Sequence, residues 1–493
     1  MIKMKRKVLF YIGIIAIILI SFRLYSSQYY PLLKSDDALN IMMAHYYSLP
    51  EMWYCWGQDR GGTLIAMLGY FFCSVFGCSE AWGVSLGNYL VLILGYIGFA
   101  SLLKRGSSKI LLALLLFMPP LRFIDLVRFP LGMQYCLIGF SLLWLKGIEL
   151  NGKWNWKNHM RMIATLVIWL IAVWVSDLTL ATIGMLLGTL YVYRGVTKHE
   201  WKLSREVWLY AGIGVMSCVA WLWYLKGTAM KTVAHYGEFN ILRDMISGVG
   251  MMWDNVWMLL SFNAETVWLS IHAWLVVVVM LLSLYVVLFH RDWLKDCSWK
   301  WICVFAIDFV GIIGVNLLMK WVYLNEMGWW YFVPSYISMG LLILMLYDGL
   351  NTDFKMAKWG KLLLWITMLV GGWDMVHYML TYDPGNGMLK SKVEVMEELD
   401  EYGEVGIIGE YWKSYVLMVA HPERVKATPC EGNEAKCQWM IDTVMAQPRL
   451  MVVKDAWLDS FPDTMQQYGR TLIKVGDPVR KAYSEMCEYQ LVK

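Results

Sequence analysis

Residues Val267–Phe289 read VWLSIHAWLVVVVMLLSLYVVLF, without a single Asp, Glu, Lys or Arg. As a helix this stretch would extend about 34 Å, more than the ~30 Å hydrocarbon thickness of a bilayer. Similar apolar runs lie near 8–25, 83–103, 109–124, 130–146, 162–176, 178–194, 206–225, 301–319, 331–347 and 361–380. They predict a mainly α, polytopic transmembrane bundle of about eleven spans. The composition agrees: 58% of the 493 residues are hydrophobic and only 17% charged, against about 25% charged in soluble proteins. The 28 Trp and 29 Tyr suit the two membrane–water interfaces, where an apolar ring and a polar tip are both satisfied.

Charge asymmetry orients the bundle. With the N-terminus in the cytoplasm, inner segments collect Lys5, Arg6, Lys104, Arg105, Lys153, Lys157, Lys202, Arg205, Lys300, Lys358 and others, while outer loops hold far fewer. That is the positive-inside pattern. It holds only if the apolar stretch 63–77 does not cross, so this stretch is read as a membrane-embedded or re-entrant helix rather than a span. Basic Lys3–Lys7 and apolar 8–22 imitate a signal peptide. Ser21-Phe22-Arg23 is a poor cleavage site, and the run is read as an uncleaved first helix.

Residues 1–382 thus form the membrane module. At 383–387 the turn-rich DPGNG leads into a tail of soluble composition, 383–493, expected to be a small extracytoplasmic α/β domain. Residues 404–409 (EVGIIG) and 449–454 (RLMVVK) read as buried strands, with further strands at 471–475 and 489–492. Helices are expected at 389–402, 411–420 and 435–446. The compartment would permit a Cys430–Cys437 disulfide, with Cys487 as an alternative partner.

A net charge of +4 argues against a nucleic-acid partner. No Walker A, CxxC or HExxH pattern occurs, so a nucleotide-driven pump has no support. The chemistry-bearing residues lie in the outer loops. The first loop carries Lys34-Ser35-Asp36-Asp37-Ala38, then Trp53, Trp56 and Gly57-Gln58-Asp59-Arg60-Gly61-Gly62. Adjacent carboxylates repel, so one needs a cation or a shared proton to stay ionised. Either can act as a general base on a hydroxyl or ligate a hard divalent cation. Equally, Ser35-Asp36-Asp37 can cap a helix running to about Tyr47.

The second loop carries Arg122, Asp125 and Arg128 between two very apolar helices. They read either as a phosphate site or as an interfacial cluster with snorkelling side chains. The long loop 226–266 carries Lys226, Lys231 and His235 as further binding candidates. Its Met251, Met252, Trp253, Trp257 and Leu260 recur at helical spacing, suggesting an interfacial helix lining a groove for a lipid chain.

The acidic pair Asp36-Asp37 after the first span, the juxtamembrane stretch 38–77 and the outer soluble domain resemble the C-type membrane glycosyltransferases. Protein O-mannosyltransferases and lipid A aminoarabinose transferases belong to that class. The Lys-Pro-Pro motif of some members is absent, and Arg60-Gly61-Gly62 occupies its neighbourhood. The resemblance implies a sugar donor linked to polyprenyl phosphate and a lipid or glycan acceptor at the outer face of the membrane. Asp36, Asp37 and Asp125 would be catalytic, and Arg60, Arg122, Arg128, Trp56, Lys226, Lys231 and His235 would bind substrate. Asp37 and Asp125 would hold a divalent cation such as Mg or Mn, and the setting would be the inner membrane of a bacterial cell envelope. Two other classes stay open: a secondary transporter, favoured by Asp308 and Asn316 within one span, and a noncatalytic subunit of a polysaccharide assembly machine.

Overall fold

A computed structural model describes residues 2–49, 52–148, 154–229, 235, 237–294, 296–351, 355–381, 390–432 and 436–492. The chain folds as two compact units. One comprises Met1–Leu24, Leu90–Leu222 and Ala234–Tyr382; the other comprises Tyr25–Tyr89, Trp223–Val233 and Asp383–Lys493.

The first unit is helical, and each of the eleven apolar runs forms a helix. Among the described residues, eight helices are long and apolar enough to cross a membrane, Val267–Phe289 among them. The run at 109–124 is shorter than expected. Its helix, Gly106–Phe117, stops ahead of Pro119-Pro120, and Leu121–Leu126 continues as a 3₁₀ turn. Proline offers no N–H and forces the residue before it out of helical geometry. Thr179–Lys198 is long enough to span but carries Arg194 and Lys198 near its end.

Close helix contact explains some of the small residues. A Cβ on Gly98 would lie 2.0 Å from the Gly139 carbonyl oxygen, so helices Glu80–Ala100 and Pro130–Leu145 touch backbone to backbone. Such approach is how helices associate where burial drives nothing, as in lipid. Buried carboxylates tie loops down. Asp348 accepts the backbone N–H groups of Lys104 (2.7 Å) and Arg105 (2.9 Å), the otherwise unpaired donors ahead of helix Gly106–Phe117. Asp308 accepts from the Tyr135 hydroxyl at 2.5 Å, and the Asn316 amide donates to the Tyr331 carbonyl at 2.9 Å. The two polar residues of that span thus find partners inside the bundle.

The second unit combines helices Ser35–His45 and Leu64–Phe76 with the C-terminal sheet. The strands are β1 (Val405–Gly409), β2 (Val425–Pro429), β3 (Leu450–Val453), β4 (Thr464–Gln467), β5 (Arg470–Lys474), β6 (Val479–Lys481) and β7 (Ser484–Leu491). Their order is β2-β1-β3-β7-β5-β4, with β6 beside β7. β1 pairs in parallel with both β2 and β3, and β7 closes antiparallel onto β3. β1 and β3 are buried along their whole length, which is why they read as unbroken apolar runs. The helix expected at 389–402 is a single turn, Lys392–Met396, followed by a 3₁₀ segment. That expected at 411–420 is likewise split, into Tyr411–Ser414 and Tyr415–Met418. All ten cysteines are free, so the permitted Cys430–Cys437 bridge is not formed. The linker at 383–387 lies outside the described residues.

Candidate functional site

Helix Ser35–His45 presents the acidic pair in its first turn, and the two carboxylates have different fates. Asp37 is buried and accepts the Lys34 backbone N–H at 3.3 Å, the reciprocal half of a capping box. Asp36 is only half-buried. Its Oδ1 accepts a hydrogen bond from the Tyr411 hydroxyl. The Ser35 hydroxyl in turn donates to the Tyr411 carbonyl, which also receives the Ser414 hydroxyl at 3.3 Å. Burial, then the Asp36 charge and its hydrogen bond, hold the Tyr411 phenol well above the usual tyrosine range. The phenol therefore stays protonated and acts as a donor.

Tyr411 was not legible as a site residue. The available signal was its place, two residues past β1, at the C-terminal end of parallel strands. There β1 lies between β2 and β3, the connection from β2 crosses over it to reach β3, and open α/β sheets gather functional groups at the C-terminal ends of their parallel strands. Asp455 follows β3 at the same end and pairs with Lys413 at 2.9 Å.

The segment after helix Ser35–His45 forms a tight loop. An isolated bridge joins Tyr54 to Gly62, and Gly57 and Gly61 both adopt φ near +70° (70° each), a conformation that disfavours any side chain. Arg60 sits on this loop, half-buried, with Nε 3.4 Å from the Gln58 amide oxygen. Lys226 joins the same loop. Its Nζ donates to the Asp59 carbonyl at 3.2 Å and lies 5.9 Å from the Tyr54 ring centre. Trp56 is fully buried against Tyr46, Tyr415 and Trp439, so the structure places it in an aromatic core rather than on a binding face. Lys426 caps this cluster, 2.5 Å from both the Tyr46 hydroxyl and the Pro422 carbonyl. Burial, helped by the Glu423 and Glu80 charges, pushes the Tyr46 phenol up to about 12.

The remaining candidates belong to the helical unit, except Lys231, which lies outside the described residues. Asp374 accepts the Leu121 backbone N–H at 3.0 Å and the Thr266 hydroxyl, fixing the turn that carries Arg122. Arg122 makes a two-point ion pair with Glu265, at 2.6 and 3.0 Å, and its Cζ lies 5.6 Å from the Trp329 ring centre. Arg122 and Trp329 both line a cavity of about 290 Å³ whose other walls are almost entirely apolar. Helix Leu242–Leu260 turns Met252, Asn255, Val256 and Leu259 into that cavity, spaced as one helical face. Trp253 and Trp257 are exposed and stack at 6.3 Å. Asp125 is half-buried, Arg128 is buried, and His235 makes an exposed pair with Glu238 at 3.0 Å.

Calcium takes six to eight oxygen ligands, whereas magnesium keeps several waters and is often held by only one or two carboxylates. Asp37 is engaged in its helix cap. Among the described residues no group of three or more His, Cys, Asp or Glu side chains is placed to hold a metal ion.

No family model matches the sequence, and no curated protein does. Solved structures do. ArnT from Cupriavidus metallidurans aligns over 99% of this chain and 98% of its own, at TM-score 0.50 and 10% identity, in the apo state. Its form bound to undecaprenyl phosphate aligns over 98% of each chain at TM-score 0.54 and 10% identity. The apo Archaeoglobus fulgidus oligosaccharyltransferase matches at TM-score 0.47 and 12% identity, over 90% of this chain and 69% of its own. The chain is an integral membrane protein that shares the fold of ArnT.

Proposed function

We propose that this protein is a membrane glycosyltransferase that moves a sugar from a polyprenyl-phosphate donor to a hydroxyl acceptor at the outer face of the membrane. The observation that carries the reading is the division of labour in the acidic pair. Asp37 is buried in a helix cap, whereas Asp36 is half-exposed and held as an acceptor. A hydrogen bond donated to a carboxylate favours its ionised form, as a general base requires. The fold shared with ArnT, solved with undecaprenyl phosphate bound, supports the donor class.

In the proposed reaction Asp36 takes the proton of the acceptor hydroxyl as its oxygen attacks the anomeric carbon. The bond from that carbon to the phosphate oxygen breaks, and polyprenyl phosphate leaves. A single displacement inverts the anomeric configuration. The leaving phosphate needs fixed positive charge. Arg60, in the unit of Asp36, is the candidate donor. The apolar walls beside Arg122 suit a lipid chain, with Trp253 and Trp257 at the interface. No step passes through a metal. We place the N-terminus in the cytoplasm and the C-terminal domain outside, in a bacterial inner membrane, on the distribution of Lys and Arg. Envelope polysaccharide assembly is the proposed setting.

The transporter reading rests on Asp308, buried in a span beside Tyr135. Turnover separates the two. Purified protein offered a panel of undecaprenyl-phosphate-linked hexoses and pentoses, with lipid and glycan acceptors, should release undecaprenyl phosphate. Asp308→Asn should retain that activity, since the Asn oxygen still accepts from Tyr135. An essential Asp308 together with no transfer would favour transport.

A further inference from the structure

We infer that the C-terminal domain supplies part of the active centre, with Tyr411 as a positioning residue for the Asp36 carboxylate. The inference rests on Asp36 being the base proposed above. Asp36 and Tyr411 lie 375 positions apart in sequence, yet two hydrogen bonds join their segments in opposite directions. The Tyr411 hydroxyl donates to the Asp36 side chain, and the Ser35 hydroxyl donates to the Tyr411 carbonyl. One bond fixes the backbone of the acidic turn; the other fixes the rotation of the carboxylate. A single contact would leave one of these free.

The support behind Tyr411 is rigid. Its ring is buried and meets Tyr415 edge-on at 6.0 Å, and Tyr415 packs on the buried Trp56 at 5.8 Å. β1, flanked by a parallel strand on each side, delivers Tyr411 to this place. With its phenol held protonated, Tyr411 is a permanent donor to one carboxylate oxygen. A donor to the carboxylate favours its charged form, the form that can take a proton from a hydroxyl. Tyr411 itself does not touch the reacting atoms in this scheme. A domain that merely anchored the first loop would need the packing but not the phenol oxygen.

The oxygen can be tested alone. Full-length protein in lipid nanodiscs would be prepared as wild type, Tyr411→Phe, Ser35→Ala and Asp36→Asn. Infrared titration, referenced to Asp36→Asn, reads protonation of the Asp36 carboxyl without any substrate. Removing a donor to the charged form should raise the midpoint in Tyr411→Phe by about one to two pH units. The acid limb of transfer from undecaprenyl-phosphate-linked sugars should move upward with it. Ser35→Ala keeps the phenol and loosens the backbone; its midpoint should rise by less, and it serves if the Phe variant fails to fold. An unchanged midpoint in a folded Tyr411→Phe, or in Ser35→Ala where the Phe variant does not fold, overturns the positioning role. If Asp36→Asn transfers sugar at the wild-type rate, the base assignment itself fails. If Asp36→Asn is inactive while the midpoint stays fixed, only the role of Tyr411 fails.

Discussion

The Asp37 carboxylate accepts the backbone N–H of Lys34 at 3.3 Å, so one member of the acidic pair closes the start of its own helix. The peptide bond between Asp36 and Asp37 therefore separates a structural carboxylate from the proposed chemical one. Asp37→Ala should lower stability by about 1 kcal/mol, the usual worth of a helix cap. Thermal denaturation in detergent would read it as a lowered midpoint. A midpoint equal to wild type would mean that the cap contributes nothing.

The Arg122–Glu265 pair carries a second prediction. If Arg122 receives the lipid phosphate, Glu265 competes with it for the guanidinium. Arg122→Gln should weaken binding of undecaprenyl phosphate about 10- to 100-fold, the worth of a hydrogen bond to a charged group. Glu265→Gln should tighten binding. Titration of both variants in nanodiscs gives the answer, and equal affinities for wild type and both variants would remove Arg122 from the site.

Helix contact in the first unit gives a third. Gly98→Ala places a methyl group against the Gly139 backbone, and helices Glu80–Ala100 and Pro130–Leu145 must separate. Overpacking of this kind costs about 1–3 kcal/mol. Gly184→Ala, inside helix Thr179–Lys198 with nothing within 4 Å of its Cβ, is the control and should melt no lower than wild type. Equal midpoints for the two variants would contradict the contact.

Much of the fold was written locally. Runs such as Val267–Phe289 announce themselves by length, and β1 and β3 by unbroken apolar sequence. The Pro119-Pro120 stop was equally local, yet the apolar residues beyond it concealed it. β2 escaped because Lys426 and Pro429 interrupt its pattern. The lysine turns to Tyr46 and Pro422, and the proline ends the strand beside Gly409. In the candidate site, the pair Asp36-Asp37 was visible as a motif, but its division of roles was not. That division depends on Tyr411, and no periodicity relates residues 375 positions apart. Trp56 shows the converse: a tryptophan in a polar loop reads as a binding residue until its burial is known.

The central claim is that Asp36 is the base of a sugar transfer. The direct measurement is the transfer rate of purified Asp36→Asn with an undecaprenyl-phosphate-linked sugar that the wild type consumes, at matched thermal stability. Asn preserves the shape of the side chain and still accepts from Tyr411, so the fold should be unchanged while the base is lost. The account predicts a rate lowered about 10²- to 10⁴-fold. A rate within twofold of wild type would contradict it.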